Sequence, residues 1–393
     1  MMSRRRMTAN VDVFGTHHAF MENDMLTMTQ VRTLVRELSA TKVLSVYLDT
    51  RVTDPAMRAT WRPALTAALR SAGASLSGAD HEEFMLAASR LEDAMLPETG
   101  TWGAPGWMAL ATATGVHFAD ELPMRTPTMA LWRDGPVIAP YLRVLKQHHP
   151  VVVALVDSRS ARLFRYAWGK LDTLSDMRVS VDAIDTGVIP RLDGRGTSFS
   201  APRSSTGTER AARRRMTAFR RLCAMLSDRL DELAGNASWI LIGGTPAWSR
   251  FAGAALPSHL AARTHVSGTL GLTATHEQIA TAAKHAGSAL RATRGSALLD
   301  TMLELAGAEG RAVRGVPATQ RALRTSAVDL LVLSPAFLFT DADEAESSVH
   351  AALQQGATVE VLSGEAAEQL DRAAGGIAGK LRFALDSEPL PAA

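Results

Sequence analysis

The chain has 393 residues, 46% of them hydrophobic and 21% charged, with a formal net charge of +2. That composition excludes a fibre or a wholly disordered polymer and supplies core material for two to four domains. A single cysteine, Cys223, excludes a disulfide framework and any multi-cysteine zinc or iron–sulfur site, which fits a reducing cytoplasm.

Residues 1–25 lack sustained periodicity and read as a mobile leader. Arg4, Arg5 and Arg6 are followed by polar Thr8, Asn10 and Asp12 instead of an apolar stretch, and no run of about 18 apolar residues occurs. The expectation is a cytoplasmic protein that does not cross a membrane. Residues 31–38 have the spacing of a short amphipathic helix, and Val43-Leu44-Ser45-Val46-Tyr47-Leu48-Asp49-Thr50 reads as a buried strand. Helical spacing returns over 61–71 and 81–95, and 107–112 and 128–132 read as strands, giving an α/β first domain over 26–148. Residues 151–157 and 161–166 form a strong hairpin signal that opens a middle domain over 149–275. Within it, 193–207 is a Gly/Ser/Thr/Pro-rich loop. Thr206-Gly207-Thr208-Glu209 fits a capping box. A long helix follows, with Ala212, Met216, Phe219, Leu222, Cys223, Leu226, Leu230 and Leu233 on one buried face. Residues 239–244 read as a strand ended by glycines, and 257–263 as a short helix. A third domain over 276–387 opens with a helix-rich segment, 276–305. It then runs strand (328–335), helix (341–355), strand (358–363), which implies a parallel sheet under helices. Residues 388–393 are a tail.

Split at these boundaries, the net charge is uneven. Residues 1–148 carry 15 basic and 15 acidic side chains, 149–275 carry 17 and 10, and 276–393 carry 10 and 15. Nine arginines between 191 and 221 face only Asp193 and Glu209, so one segment carries the whole excess. Arginine without lysine suits planar, phosphate-matching contacts. The candidate RNA-binding residues are Gly194, Arg195, Gly196, Arg203, Arg210, Arg213, Arg214 and Arg215, the glycines letting backbone amides approach phosphates. The bland alternative is a loop beside a solvated helix face. Phe199 is a candidate for base stacking or for packing within the loop. Asp157, at the end of the first middle-domain strand, is a metal ligand of a nuclease if other carboxylates converge on it, and a turn-capping residue otherwise. Cys223 lies on the apolar stripe as a core residue. His17-His18 and His148-His149 are assigned no metal, and no cofactor is expected. No GxxxxGK[ST], HExxH or GxSxG motif is present.

Four segments taken in order, 43–50, 153–166, 328–334 and Gly375-Gly376-Ile377-Ala378-Gly379-Lys380-Leu381-Arg382-Phe383, resemble the bacterial relatives of archaeal and eukaryotic peptide-chain release factors and Pelota. The resemblance implies three domains: a divergent α/β first domain, a ribonuclease-H-like middle domain and an L7Ae-like α/β/α third domain. In that family the middle domain carries a Gly-Gly-Gln loop that helps water hydrolyse peptidyl-tRNA. Here the loop reads Leu192-Asp193-Gly194-Arg195-Gly196-Thr197-Ser198-Phe199, and Gly-Gly-Gln occurs nowhere. The Asn-Ile-Lys-Ser motif of stop-codon inspection is also missing. This profile is most similar to the Balon-type ribosome hibernation factors. It implies a non-enzymatic occupant of the ribosomal A site, held by ribosomal RNA, acting in hibernation or rescue. The acidic third domain implies a protein partner, an elongation-factor-Tu-type GTPase or a stalk-base protein. The rival readings are a peptidyl-tRNA hydrolase or nuclease with a degenerate loop, and a stress-linked interaction protein that never touches a ribosome.

Overall fold

A computed structural model of the chain describes residues 25–50, 61–94, 104–179, 207–235, 238–308 and 310–384. The leader, the tail and loop 180–206, with His17, His18, Gly194, Arg195, Gly196, Phe199 and Arg203, lie outside the described residues. The protein is mixed α/β with three sheets. It divides into two compact units, one formed by 1–147 with 295–393 and the other by 148–294.

The second unit is built on β5 (Val151–Val156), whose six residues are all buried. A strand covered on both faces needs a continuous apolar run, and Val-Val-Val-Ala-Leu-Val supplies one. β6 (Ser160–Ala167) and β7 (Lys170–Arg178) follow it antiparallel, while β8 (Trp239–Gly244) and β9 (Thr264–Val266) run parallel to it, giving the order β7-β6-β5-β8-β9. This is the ribonuclease-H-like order. Because side chains alternate along a strand, Val152, Ala154 and Val156 meet one helical layer, comprising α5 (Gly207–Ala234), α6 (Pro246–Ala254) and α7 (Ser258–Ala261). Val151, Val153 and Leu155 meet Ile279, Ala283 and Ala286 on the other face. These last belong to α8 (His276–Ala308), which opens where the sequence reading begins the third domain.

In the first unit, β1 (Lys42–Asp49), β2 (Gly106–Thr112), β3 (Gly115–Leu122) and β4 (Met129–Asp134) form an antiparallel sheet in the order β3-β2-β1-β4. Leu44, Val46 and Leu48 pack on α2 (Trp61–Gly73) and α3 (Gly78–Ala94). Val43 and Tyr47 point the other way, towards α1 (Met28–Leu38) and α4 (Ala139–Gln147). That second core is continuous with the last segment of the chain. There β10 (Ala312–Arg314), α9 (Val316–Arg324), β11 (Val328–Leu333), α10 (Pro335–Thr340), α11 (Ala342–Gln354), β12 (Thr358–Val361), α12 (Glu365–Ala374) and β13 (Ile377–Leu381) make a sheet ordered β10-β13-β11-β12. β11 and β12 are parallel, as the strand–helix–strand pattern predicts. α9, α10 and α11 cover one face of the sheet, while α12 and the second half of α8 cover the other.

Buried polar contacts join the early and late segments of this unit. The Glu346 carboxylate accepts the amides of Ile138 (2.7 Å) and Ala139 (3.0 Å), where α4 begins and carries positive partial charge. His350 Nε2 lies 2.7 Å from the Pro136 carbonyl and 3.2 Å from Glu346. Lys146, buried, reaches Glu360 at 2.9 Å. The Tyr47 hydroxyl donates to the Val137 carbonyl at 2.7 Å.

Candidate nucleic-acid interface

Helix α5 carries the arginine cluster. At about 1.5 Å per residue, 28 helical residues span roughly 42 Å, whereas the six residues of β8 span about 20 Å. The C-terminus of α5 is tied to the start of β8, with the Ser238 amide donating to the Ala234 carbonyl at 3.1 Å. The excess length therefore runs beyond the span of β8, and α5 also lies over β5, β6 and β7. Ala218, Phe219, Leu222, Cys223, Leu226 and Leu230 are buried against the sheet. Ala212, Arg213, Arg214 and Arg215 are all exposed, although Ala212 and Arg215 continue the same stripe. The sequence reading of one buried face from Ala212 onward is thus corrected: the stripe becomes core only from Ala218.

The N-terminal turns concentrate cations. Arg213 and Arg220 are seven residues apart and Arg214 and Arg221 likewise, so they form two adjacent ridges on the outward side, all four exposed. Arg210 opens the helix, its side chain outside the described residues. Apart from Glu209 in the first turn, the acidic residues of α5 fall at the opposite end, and two of them are paired within the molecule. Asp231 meets His259 at 3.0 Å, and Glu232 meets Arg229 at 2.7 Å. Neither Arg213 nor Arg215 enters an ion pair among the described residues. Cations at the N-terminal end and acids at the C-terminal end oppose the helix macrodipole. This order does not serve helix stability. It does create a positive helix end in which guanidinium groups and the helix N-terminus add to one another, which is the electrostatics an extended polyanion recognises.

Beside these ridges, Arg220, Cys223, Ala224, Ser227 and Asp228 of α5 face Phe251, Ala255 and Pro257 across an open groove of about 360 Å³. Phe251 is 37% exposed and lies edge-on to Phe219 at 5.5 Å. Sequence reasoning missed Phe251 because α6 was not anticipated. Cys223 is buried as expected, and burial pushes its thiol up to about 11.

Asp157 closes the β5–β6 hairpin, its amide donating to the Ser160 carbonyl at 2.8 Å. Thr245 Oγ1 approaches its carboxylate at 3.4 Å. Among the described residues no three His, Cys, Asp or Glu side chains gather as metal ligands, and no helix is long and apolar enough to cross a membrane. His148 and His149 are split between two aromatic neighbours, Trp168 and Trp239, each at 6.0 Å.

Comparison with known proteins gives two consecutive family matches. Residues 136–288 match bacterial archaeo-eukaryotic release factor family 10, and residues 293–385 match eRF1 domain 3. No curated protein matches the chain. Among solved structures, Archaeoglobus fulgidus Pelota is 14% identical, with 72% of this chain and 80% of that one covered and a TM-score of 0.36. An archaeal translation termination factor, aRF1, is 18% identical over 91% of this chain and 99% of that one, with a TM-score of 0.25. An archaeal Pelota in a ribosome-bound model with ABCE1 is 16% identical over 69% and 73%, with a TM-score of 0.41. The two family matches abut at the middle of α8 and account for both the hairpin-led sheet and the last sheet of the chain. Over residues 136–288 and 293–385 the chain is thus similar to the bacterial archaeo-eukaryotic release factors and to eRF1 domain 3.

Proposed function

We propose that the protein is a ribosome-binding translation factor that occupies the A site without cleaving peptidyl-tRNA, in hibernation or rescue of ribosomes. The observation that carries this reading is that the N-terminal turns of α5 hold Arg213, Arg214 and Arg215 exposed, ahead of the buried stripe that starts at Ala218. In this account the arginines of α5 grip ribosomal RNA through its phosphates, and Gly194, Arg195, Gly196, Arg203 and Arg210 are expected to add to that binding. Contacts of this kind read shape and backbone and weaken steeply with salt. The absence of Gly-Gly-Gln from the sequence supports binding in place of hydrolysis, and no cofactor enters the account. The excess of 15 acidic over 10 basic side chains in residues 276–393 suits a basic protein partner, either an elongation-factor-Tu-type GTPase or a stalk-base protein, in the cytoplasm.

Co-sedimentation with ribosomes tests this reading. Wild type pellets with them in a salt-sensitive manner, and the variant with Arg213, Arg214 and Arg215 all changed to Glu stays in the supernatant. Equal pelleting of the two overturns it. Release of labelled peptide from charged ribosomes, abolished by Asp157→Ala, would favour the hydrolase instead.

A further inference from the structure

One end of the same sheet holds a second, differently built group of side chains. β6 and β7 are joined by only Trp168 and Gly169, since Ala167 already pairs with Lys170. Both linking residues have positive φ, 55° and 78°, which makes the connection a type I′ turn. Its first position is normally Asn, Asp or Gly, because a Cβ there crowds the backbone, and a bulky residue is an outlier. Gly169 fits this turn, whereas Trp168 strains it. Nor does the indole repay that strain in the core, since it joins neither hydrophobic cluster of this unit. It is partly exposed, and its ring neighbour is His148, with centroids 6.0 Å apart and planes inclined by 37°.

Cations lie near the histidine of this pair. β5 and β8 start here, Val151 lying beside Trp239 and Tyr166. The first half of α8 crosses the same end, where a Cβ on Gly287 would touch Val151. From this helix Arg294 lies over the Trp239 ring at 5.9 Å, and Lys284 and Arg291 are near enough to act on the His148 imidazole. Burial is the main cause that drives His148 down to about 4, and the charged groups that add to it, Arg291, His149 and Lys284, are all basic. His148 is therefore a neutral, flat ring at pH 7. Lys284 is exposed and pairs with no carboxylate among the described residues, while Arg291 donates to the Ser288 hydroxyl at 3.3 Å. The positive charge that Lys284 brings to this end of the sheet is one an anion can meet.

We propose that Trp168, with His148, Lys284 and Arg291, forms a stacking site for a nucleotide of single-stranded RNA. A partly exposed aromatic ring at a hairpin tip takes an unpaired base, and the cations of α8 take the adjoining phosphates, the division of labour used by sequence-tolerant single-strand binders. A duplex hides its base faces and leaves the indole unused. The site uses none of the α5 arginines, and it stands whether or not the protein binds ribosomes.

Fluorescence anisotropy of a labelled 12-nucleotide oligouridylate, roughly the footprint of one such surface, tests the proposal against Trp168→Asn and Lys284→Glu. Trp168→Asn is expected to weaken binding by about tenfold, the worth of one stacked base, with the salt dependence intact. It is also expected to raise the melting temperature, because Asn-Gly suits a type I′ turn. Lys284→Glu is expected to lower the salt dependence. A lowered melting temperature with unchanged affinity for Trp168→Asn would make the indole a packing residue and overturn the proposal. Equal affinity of wild type for a 12-base-pair RNA duplex and the single strand would do the same. Both readouts are independent of ribosome pelleting.

Discussion

The Glu346 carboxylate accepts the backbone amide of Ile138 at 2.7 Å from 208 positions further along the chain. A second oxygen takes Ala139 at 3.0 Å, so one buried side chain satisfies two donors that helix α4 leaves open at its start. Replacing Glu346 by Ala strands both amides at a cost of about 3 kcal/mol. Hydrogen exchange followed by mass spectrometry checks this. Peptides covering residues 136–147 are expected to lose protection in Glu346→Ala and to keep most of it in Glu346→Gln, which retains one acceptor. Unchanged protection in the alanine variant would show that the carboxylate does not hold the two segments together.

Two histidines give the protein opposite responses to acid. His350 is penalised by burial, but its bonds to Glu346 and the Pro136 carbonyl outweigh that and raise it above its ordinary 6.5. Its contribution is fully present below about pH 6.5 and is lost as pH rises through the raised value. His148, held down to about 4 by burial and neighbouring cations, contributes stability above pH 6.5 that is lost as pH falls towards 4, at most about 3 kcal/mol. Thermal melts across pH should therefore fall off less on the acid side in His148→Gln and less on the alkaline side in His350→Gln. Parallel curves for wild type and either variant would remove that residue from the account.

Gly244 ends β8 with φ of +113°, and a Cβ there would lie 2.2 Å from the Val156 carbonyl oxygen. The strand end has no room to yield, because the Gly244 and Thr245 amides bond to Leu270 and Val156 at 2.7 and 3.0 Å. Gly244→Ala should destabilise this unit by about 3 kcal/mol or more, through backbone strain and overpacking together. Urea denaturation followed by circular dichroism measures it, and a midpoint equal to wild type would contradict the strand geometry described.

Cys223 is 7% exposed with its thiol pushed up to about 11, so it is both covered and protonated. Its reaction with a disulfide reagent at pH 8 should be slow in the folded protein and complete at once in denaturant. Rapid modification of the native protein would mean that the groove beside it opens to solvent readily.

Much of the architecture was legible in the residues, and the omissions have physical reasons. β5 shows plainly because both its faces are covered, and α5 because its apolar stripe repeats without a break from Ala218 to Ala234. β3 and β7 escaped notice since they are edge strands, largely wetted, with polar sequences that lack alternation. α4 has the reverse difficulty. Ala139, Pro140, Tyr141, Leu142, Val144 and Lys146 are all buried, leaving no polar face to reveal a helical period. Glu346 looks like any solvated acid on an amphipathic helix, and only the fold brings Ile138 to it. At the interface, the arginine cluster was visible as composition. Its exposure was not, because that depends on where the packed stripe begins.

The central claim is that arginines on the N-terminal turns of α5 hold a polyphosphate. Measuring the ribosome-binding constant over a range of salt concentrations tests it most directly. The account predicts a steep linear fall of log K with log salt, and a slope shallower by about 2–3 when Arg213, Arg214 and Arg215 are replaced by Glu, one unit or slightly less for each phosphate that is no longer neutralised. An identical slope and affinity for wild type and variant would contradict it.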